Sequence, residues 1–206
     1  VSRSGTGRAL LLVVLTACGG FDAPMPLVGG AVERLEGVRF GMRPAELIAL
    51  RPDGGYDDEG IYREGLDDST VVGYGFLPWE EGRLPSGRAR LAGVEIHEEV
   101  DDTVRLREAW TTAFDQIAAA NVSRPECTVR RSFRLSRVTA AFSDTIRVTL
   151  DAEVVEGGDG QAYEAYLSTR IETAEMAMLS RSRREPEEPG RSVECRGFPI
   201  RMSAAR

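Results

Sequence analysis

Arg90-Leu-Ala-Gly-Val-Glu-Ile-His-Glu-Glu-Val100 runs through Asp101-Asp102 into Thr103-Val-Arg-Leu-Arg-Glu-Ala-Trp-Thr-Thr-Ala-Phe-Asp-Gln-Ile-Ala-Ala-Ala120, and the hydrophobic period changes across that join. In the first segment Val94 and Ile96 face one way and Glu95 and His97 the other, which is the alternation of a strand with one buried face. In the second, Leu106, Trp110, Ala113, Phe114 and Ile117 recur along one side of a helix. Asp101-Asp102 offers that helix an N-cap and a negative charge at its positive end. Trp110 and Phe114 therefore read as core residues, not as a ligand-binding aromatic pair. A half-buried strand feeding an amphipathic helix implies an α+β fold: an antiparallel β-sheet with one short and one long helix packed on one face.

Upstream, Ile61 to Leu66 and Val71 to Leu77 are strand candidates, with turn signals at Gly54-Gly55 and Asp67-Asp68-Ser69. Pro78 to Gly87 is a loop whose Trp79 is expected to fold back onto the core. Downstream the chain is strongly β. Odd positions are apolar from Cys127 to Leu135 (Cys127, Val129, Phe133, Leu135), and even ones from Val138 to Val154 (Phe142, Ile146, Val148, Leu150). The change of phase implies a bulge or turn between the two runs. Glu156-Gly-Gly-Asp-Gly160 reads as a hairpin connection, and a return strand runs from Tyr163 to Thr173 with Tyr163, Ala165, Leu167 and Ile171 on one face. A short helix at Ala174 to Ser182 and a polar loop from Arg183 to Gly190 follow; Asn121-Val-Ser123 reads as the exit from the long helix. Helix-then-sheet thus occurs twice, over 37–100 and 101–173. That suits a tandem duplication, or a single domain of residues 37–206 in which one sheet collects both helices.

The start of this body is Gly37-Val-Arg-Phe-Gly-Met-Arg-Pro-Ala-Glu-Leu-Ile-Ala-Leu50. Val38 and Phe40 alternate as a short strand. Pro44 suits the first helical turn, Glu46 sits near the positive helix end, and Pro52 stops the helix. This pattern resembles the opening of the SmpA/OmlA (BamE-like) lipoprotein domains and is similar to the repeat of the β-lactamase-inhibitor-protein fold. The resemblance covers about 14 residues. It implies a short helix after Gly-Met, packed on an antiparallel sheet.

At the other extreme of the chain, Arg3 and Arg8 precede the apolar run Ala9 to Leu15, which is shorter than the ~20 residues a spanning helix needs. Leu15-Thr16-Ala17-Cys18 closes it and resembles the lipobox of bacterial lipoproteins. The resemblance implies a signal peptide over 1–17, cut before Cys18, whose sulfur carries acyl chains such as palmitate. More than one chain makes attachment stable. Residues 18–36, rich in glycine and proline, then read as a lipid-anchored flexible tether. Gly19 follows the cysteine where aspartate would signal inner-membrane retention, so the expected location is the outer membrane, facing the periplasm. The competing reading is a plain secretory signal cut near Ala17.

Two further cysteines remain, Cys127 and Cys195. An exported compartment permits a disulfide, and one pair has one connectivity. Such a bridge pins the tail 174–206 and stabilises by ~4 kcal/mol on the chain-entropy model. A catalytic cysteine would need a base, and the only histidine is His97. The formal charge of -7 argues against nucleic acid as a partner. All 26 basic residues are arginine. Asp53, Asp57, Asp58 and Glu59 lack the EF-hand spacing, and His97-Glu98-Glu99 with Asp101-Asp102 lacks a second nitrogen or sulfur ligand. No metal, cofactor or enzymatic activity is expected. The functional expectation is a structural or protein-interaction module, attached to the membrane through Cys18, with an envelope protein or cell-wall component as partner. The alternative is a carrier of a small apolar ligand such as lipid, in a sheet wrapped around the long helix.

Overall fold

The computed structural model describes residues 35–80, 82–120, 124–131, 135–143, 146–155, 164–183 and 190–195. The apolar run 9–15, Cys18, the sequon 121–123, the glycine-rich connection 156–160, Tyr163 and the polar stretch 184–189 lie outside these residues. In chain order the elements are α1 (Pro44–Leu50), β1 (Gly55–Tyr56), β2 (Tyr62–Gly65), β3 (Thr70–Leu77), β4 (Arg90–Val100) and α2 (Thr103–Ala120). Then come β5 (Glu126–Arg131), β6 (Leu135–Ser143), β7 (Ile146–Val155), β8 (Glu164–Thr173), α3 (Ala174–Arg183) and β9 (Arg191–Val193).

Among the described residues all nine strands join one antiparallel sheet, ordered β1-β2-β3-β4-β8-β7-β6-β5-β9. The order reads outward from the β4–β8 pair in the same way on both sides, so each helix-then-strands half occupies one wing. One hydrophobic cluster runs from Leu35 through Ile171 under both wings. Leu35 is already part of it, so packing begins within the stretch that the sequence assigns to the tether.

Odd-even alternation sorts the sheet into two faces. Val72, Tyr74, Val94, Ile96, Val138, Ala140, Phe142, Val148, Leu150, Leu167 and Ile171 are buried on one. α2 lies on that face across β7, β8 and β4, with Leu106, Trp110 and Ile117 buried and Phe114 5.6 Å from Phe142 ring to ring. Asp102 caps α2 by accepting the Val104 and Arg105 N–H groups at 2.7 and 2.9 Å. Those two bonds hold its carboxyl below the usual carboxylate range.

The Gly-Met segment finds a specific use. Gly41, at φ 84, donates its N–H to Leu91 O at 2.9 Å, and Leu91 N–H returns to Met42 O at 2.8 Å. The segment thereby pairs with β4 beyond the point where β8 turns away into α3. Pro44 opens α1, Glu46 accepts the Arg43 N–H at 2.7 Å, and Leu47 is fully buried. At the C-terminal end of α1, Tyr62 donates its hydroxyl to Arg51 O.

The apolar run Val138 to Val154 contains two strands, not one. Register pairs Phe142 with Val148 and Ala140 with Leu150, so even positions of β6 oppose even positions of β7 and both strands keep the same parity. Trp79 is half-buried and donates Nε1–H to Glu59 O at 3.1 Å. Cys127 and Cys195 lie at disulfide distance, with Cα atoms 5.3 Å apart, and β9 pairs with β5 through Val193–Cys127 and Arg191–Val129.

α3 departs from the expected one-face arrangement. Met176 lies over Gly75 and Gly93, whose vacant Cβ positions are 2.9 and 3.1 Å from its side chain, and Ser180 donates to Glu172 Oε1 at 2.6 Å. Gly93 and Glu172 belong to the face opposite α2. Two facing glycines on β3 and β4 make the recess that lets this short helix approach the sheet.

Candidate functional site

Away from α3, the second face of the sheet is polar, and its residues align in rows across four strands. One row joins Glu95 (β4), Arg170 (β8) and Thr149 (β7). The next joins His97, Ser168, Asp151 and Thr139 (β6), and a third joins Glu99, Tyr166, Glu153 and Arg137. Row neighbours are about 4.8 Å apart along the hydrogen-bonding direction, and successive rows are roughly 6.8 Å apart.

Side-chain bonds lock the rows. Arg170 Nη2 donates to Glu95 Oε1 at 2.9 Å, and Arg137 donates to Glu153 Oε2 through Nε at 2.7 Å and Nη2 at 2.5 Å. Ser168 Oγ and His97 Nδ1 are 2.8 Å apart, and Thr139 Oγ1 donates to Asp151 Oδ1 at 2.5 Å. The His97 and Tyr166 ring centroids lie 4.8 Å apart, with the ring planes tilted by 30°. Together Glu95, His97, Arg137, Asp151, Glu153, Tyr166, Ser168 and Arg170 line an open concavity of about 410 Å³.

Asp151 is its buried floor, with 8% of its surface exposed. Burial pushes its carboxyl up; the Thr139 bond and the Arg170 and Arg137 guanidiniums draw it back without cancelling that push, and Glu95 adds to it. Arg170 goes the other way: burial works against its charge, but Glu95, Asp151 and Glu172 more than offset it, and its pKa is raised. Glu172, beside Arg170 at the foot of α3, is raised chiefly by burial. Tyr166 is raised chiefly because its hydroxyl donates to Glu164 Oε2 at 2.8 Å.

Cross-strand pairs of opposite charge are ordinary sheet stabilisers. A buried carboxylate with a raised pKa is not, because it costs folding energy whenever it is ionised. A carboxyl pushed up by burial at the bottom of a concavity makes this the candidate site. The geometry differs from that of an acyl-transfer site. In an acyl-transfer triad the imidazole sits between acid and serine. Here Ser168 sits between His97 and Asp151, and Nδ1 faces the serine. β8 is also an interior strand, so its backbone N–H groups serve the ladders to β4 and β7 and are not available to an oxyanion.

The residues that the sequence singles out are dispersed. His97 is in the concavity, while Glu98 points to the packed side and Asp102 caps α2. Asp57 is committed to its own turn, accepting the Glu59 and Ile61 N–H groups and pairing with Arg63 at 2.6 Å. Among the described residues no group of three His, Cys, Asp or Glu side chains is placed to hold a metal ion. Sequence reasoning missed Arg137, Asp151, Glu153, Tyr166, Ser168 and Arg170. The available signal was a run of charged and hydroxyl residues at alternate positions of β7 and β8, which needs the register before it becomes a site. No family model, curated protein or solved structure matches the chain.

Proposed function

We propose that this chain is a binding module of the bacterial cell envelope, anchored through a lipidated Cys18 at the outer membrane, facing the periplasm and engaging an envelope protein or cell-wall component. The observation that carries the reading is the uneven covering of the sheet. α2 lies over β7, β8 and β4 on one side, and among the described residues the opposite side of β4, β8, β7 and β6 is left open around the polar concavity. Support for the anchor comes from the apolar run 9–15 and Leu15-Thr16-Ala17-Cys18. A cysteine pair at disulfide distance suits an oxidising compartment. Among the described residues no helix is long and apolar enough to cross a membrane. The lining disfavours an apolar ligand, since lipid seated there would strip water from seven ionisable side chains without replacing its hydrogen bonds.

A photo-crosslinking residue at position 99, on the open face, tests the reading in intact cells against the same residue at position 108 on exposed α2. Adducts from 99 and none from 108 are expected; equal labelling would sink the assignment of the working face. Cys18→Ser should move the protein from the membrane fraction to the soluble one, and unchanged fractionation would refute lipidation.

A further inference from the structure

Resting on the reading that the open face is the working surface, we infer that the concavity over β4, β8, β7 and β6 is a carbohydrate site that takes a neutral, polyhydroxylated stretch of glycan. The argument begins with charge. Both guanidiniums already have carboxylate partners, Arg170 with Glu95 and Arg137 with Glu153. An anionic ligand would meet the carboxyl groups of Glu95, Asp151 and Glu153, and a cationic one would meet the two arginines. A neutral ligand disturbs neither.

The middle row then sets the chemistry. His97, Ser168, Asp151 and Thr139 present two hydroxyls, an imidazole and a carboxyl in line across four strands, a distance of about 14 Å. Hydroxyls and imidazole both give and accept hydrogen bonds, as sugar hydroxyls do. Among the described residues, Asp151 is bonded through Oδ1 to Thr139 and Arg170 through Nη2 to Glu95. Asp151 Oδ2 and the remaining Arg170 N–H groups are left as a fixed acceptor and donor for neighbouring hydroxyls. At one end the His97–Tyr166 pair supplies ring surface on which the C–H side of a sugar can rest.

The test uses the full lipidated chain in detergent micelles on an array of neutral, anionic and amino-sugar oligosaccharides. The best-retained neutral oligosaccharide then serves as calorimetric probe. Retention of a neutral glycan is expected, with affinity held within about twofold between about 0.05 M and about 0.5 M NaCl, because no net charge is matched. His97→Ala, an exposed change, and Asp151→Asn, which keeps the Thr139 bond, should each weaken it roughly tenfold. An empty array, retention of anionic glycans alone with affinity collapsing in salt, or binding indifferent to both variants overturns the inference. A protein adduct at position 99 with an empty array rejects the glycan but keeps the binding face. Neither adduct nor glycan rejects both.

Discussion

The two sides of this sheet are made by the same strands and differ in almost every energetic respect. Along β7, Val148, Leu150 and Ala152 are buried under α2, while Thr149, Asp151 and Glu153 alternate with them on the open side. The packed side gains stability from apolar area removed from water, which is non-directional and tolerant of small rearrangement. The open side holds part-buried ion pairs, Arg137 with Glu153 and Arg170 with Glu95, and bears the burial of Asp151. Burial of Asp151 works against folding while it is ionised, yet its bond to Thr139 holds the side chain in register. The contrast separates the residues that make the fold from those that make it useful, and it can be attacked experimentally from either side.

The largest expected effect lies on the packed side. Trp110, 2% exposed and stacked near Phe114, is the largest fully enclosed side chain in the core. Trp110→Ala should cost about 3–5 kcal/mol, measured by denaturant unfolding. His97→Ala, on the open side of β4, should stay within about 0.5 kcal/mol of wild type. Comparable losses from the two changes would mean that both faces support the fold and that the contrast is false.

This side was the legible one. Its apolar positions alternate in β4 and recur at helical spacing in α2, so Arg90–Val100 and Thr103–Ala120 follow from pattern alone. The β6–β7 hairpin hid because its register conserves parity. The site hid for a deeper reason. Each outward residue is locally just a polar position on a half-buried strand, and Glu95 lies 75 residues from its partner Arg170. Their meeting depends on β8 returning to pair with β4, which no local period encodes. The face of α3 was equally opaque, because it is fixed by two glycines that are also far apart in sequence, Gly75 and Gly93, and that only register brings together.

α3 is the exception to the contrast, a helix on the otherwise open side, and it sharpens where that side begins. A Cβ on Gly93 would sit 3.1 Å from Met176 Cγ, close to the backbone end of the side chain, where little can give. Gly93→Val should therefore lift the N-terminal turn of α3 and cost about 1–3 kcal/mol. Adding Met176→Ala should recover part of it, since the space that methionine vacates is the space valine needs. Hydrogen exchange over 174–183 is the readout: faster exchange in Gly93→Val, slowed again in the double variant. A loss that Met176→Ala leaves unrelieved would place the strain in β4 itself and remove the argument that glycine makes the recess.

The smallest effect asks whether the open face bears the cost attributed to it. Burial raises the Asp151 carboxyl, and Glu172 is raised in the same direction. A carboxyl whose folded pKa exceeds its unfolded one is held more tightly in the native state. Its contribution is most favourable below the ordinary carboxylate range and is lost as pH climbs through the raised value. Asp151→Asn cannot ionise, keeps an oxygen for Thr139, and so escapes that loss. The variant should be more stable than wild type at pH 7, and the difference should shrink steadily as pH falls into the acid range, where Asp151 is protonated in both states. Thermal unfolding of the two proteins across that interval reads it directly. Parallel pH profiles, or a variant less stable at neutral pH, would show that the Arg170 and Arg137 charges fully repay the burial of Asp151, and the floor of the concavity would then be one more stabilising pair in the sheet.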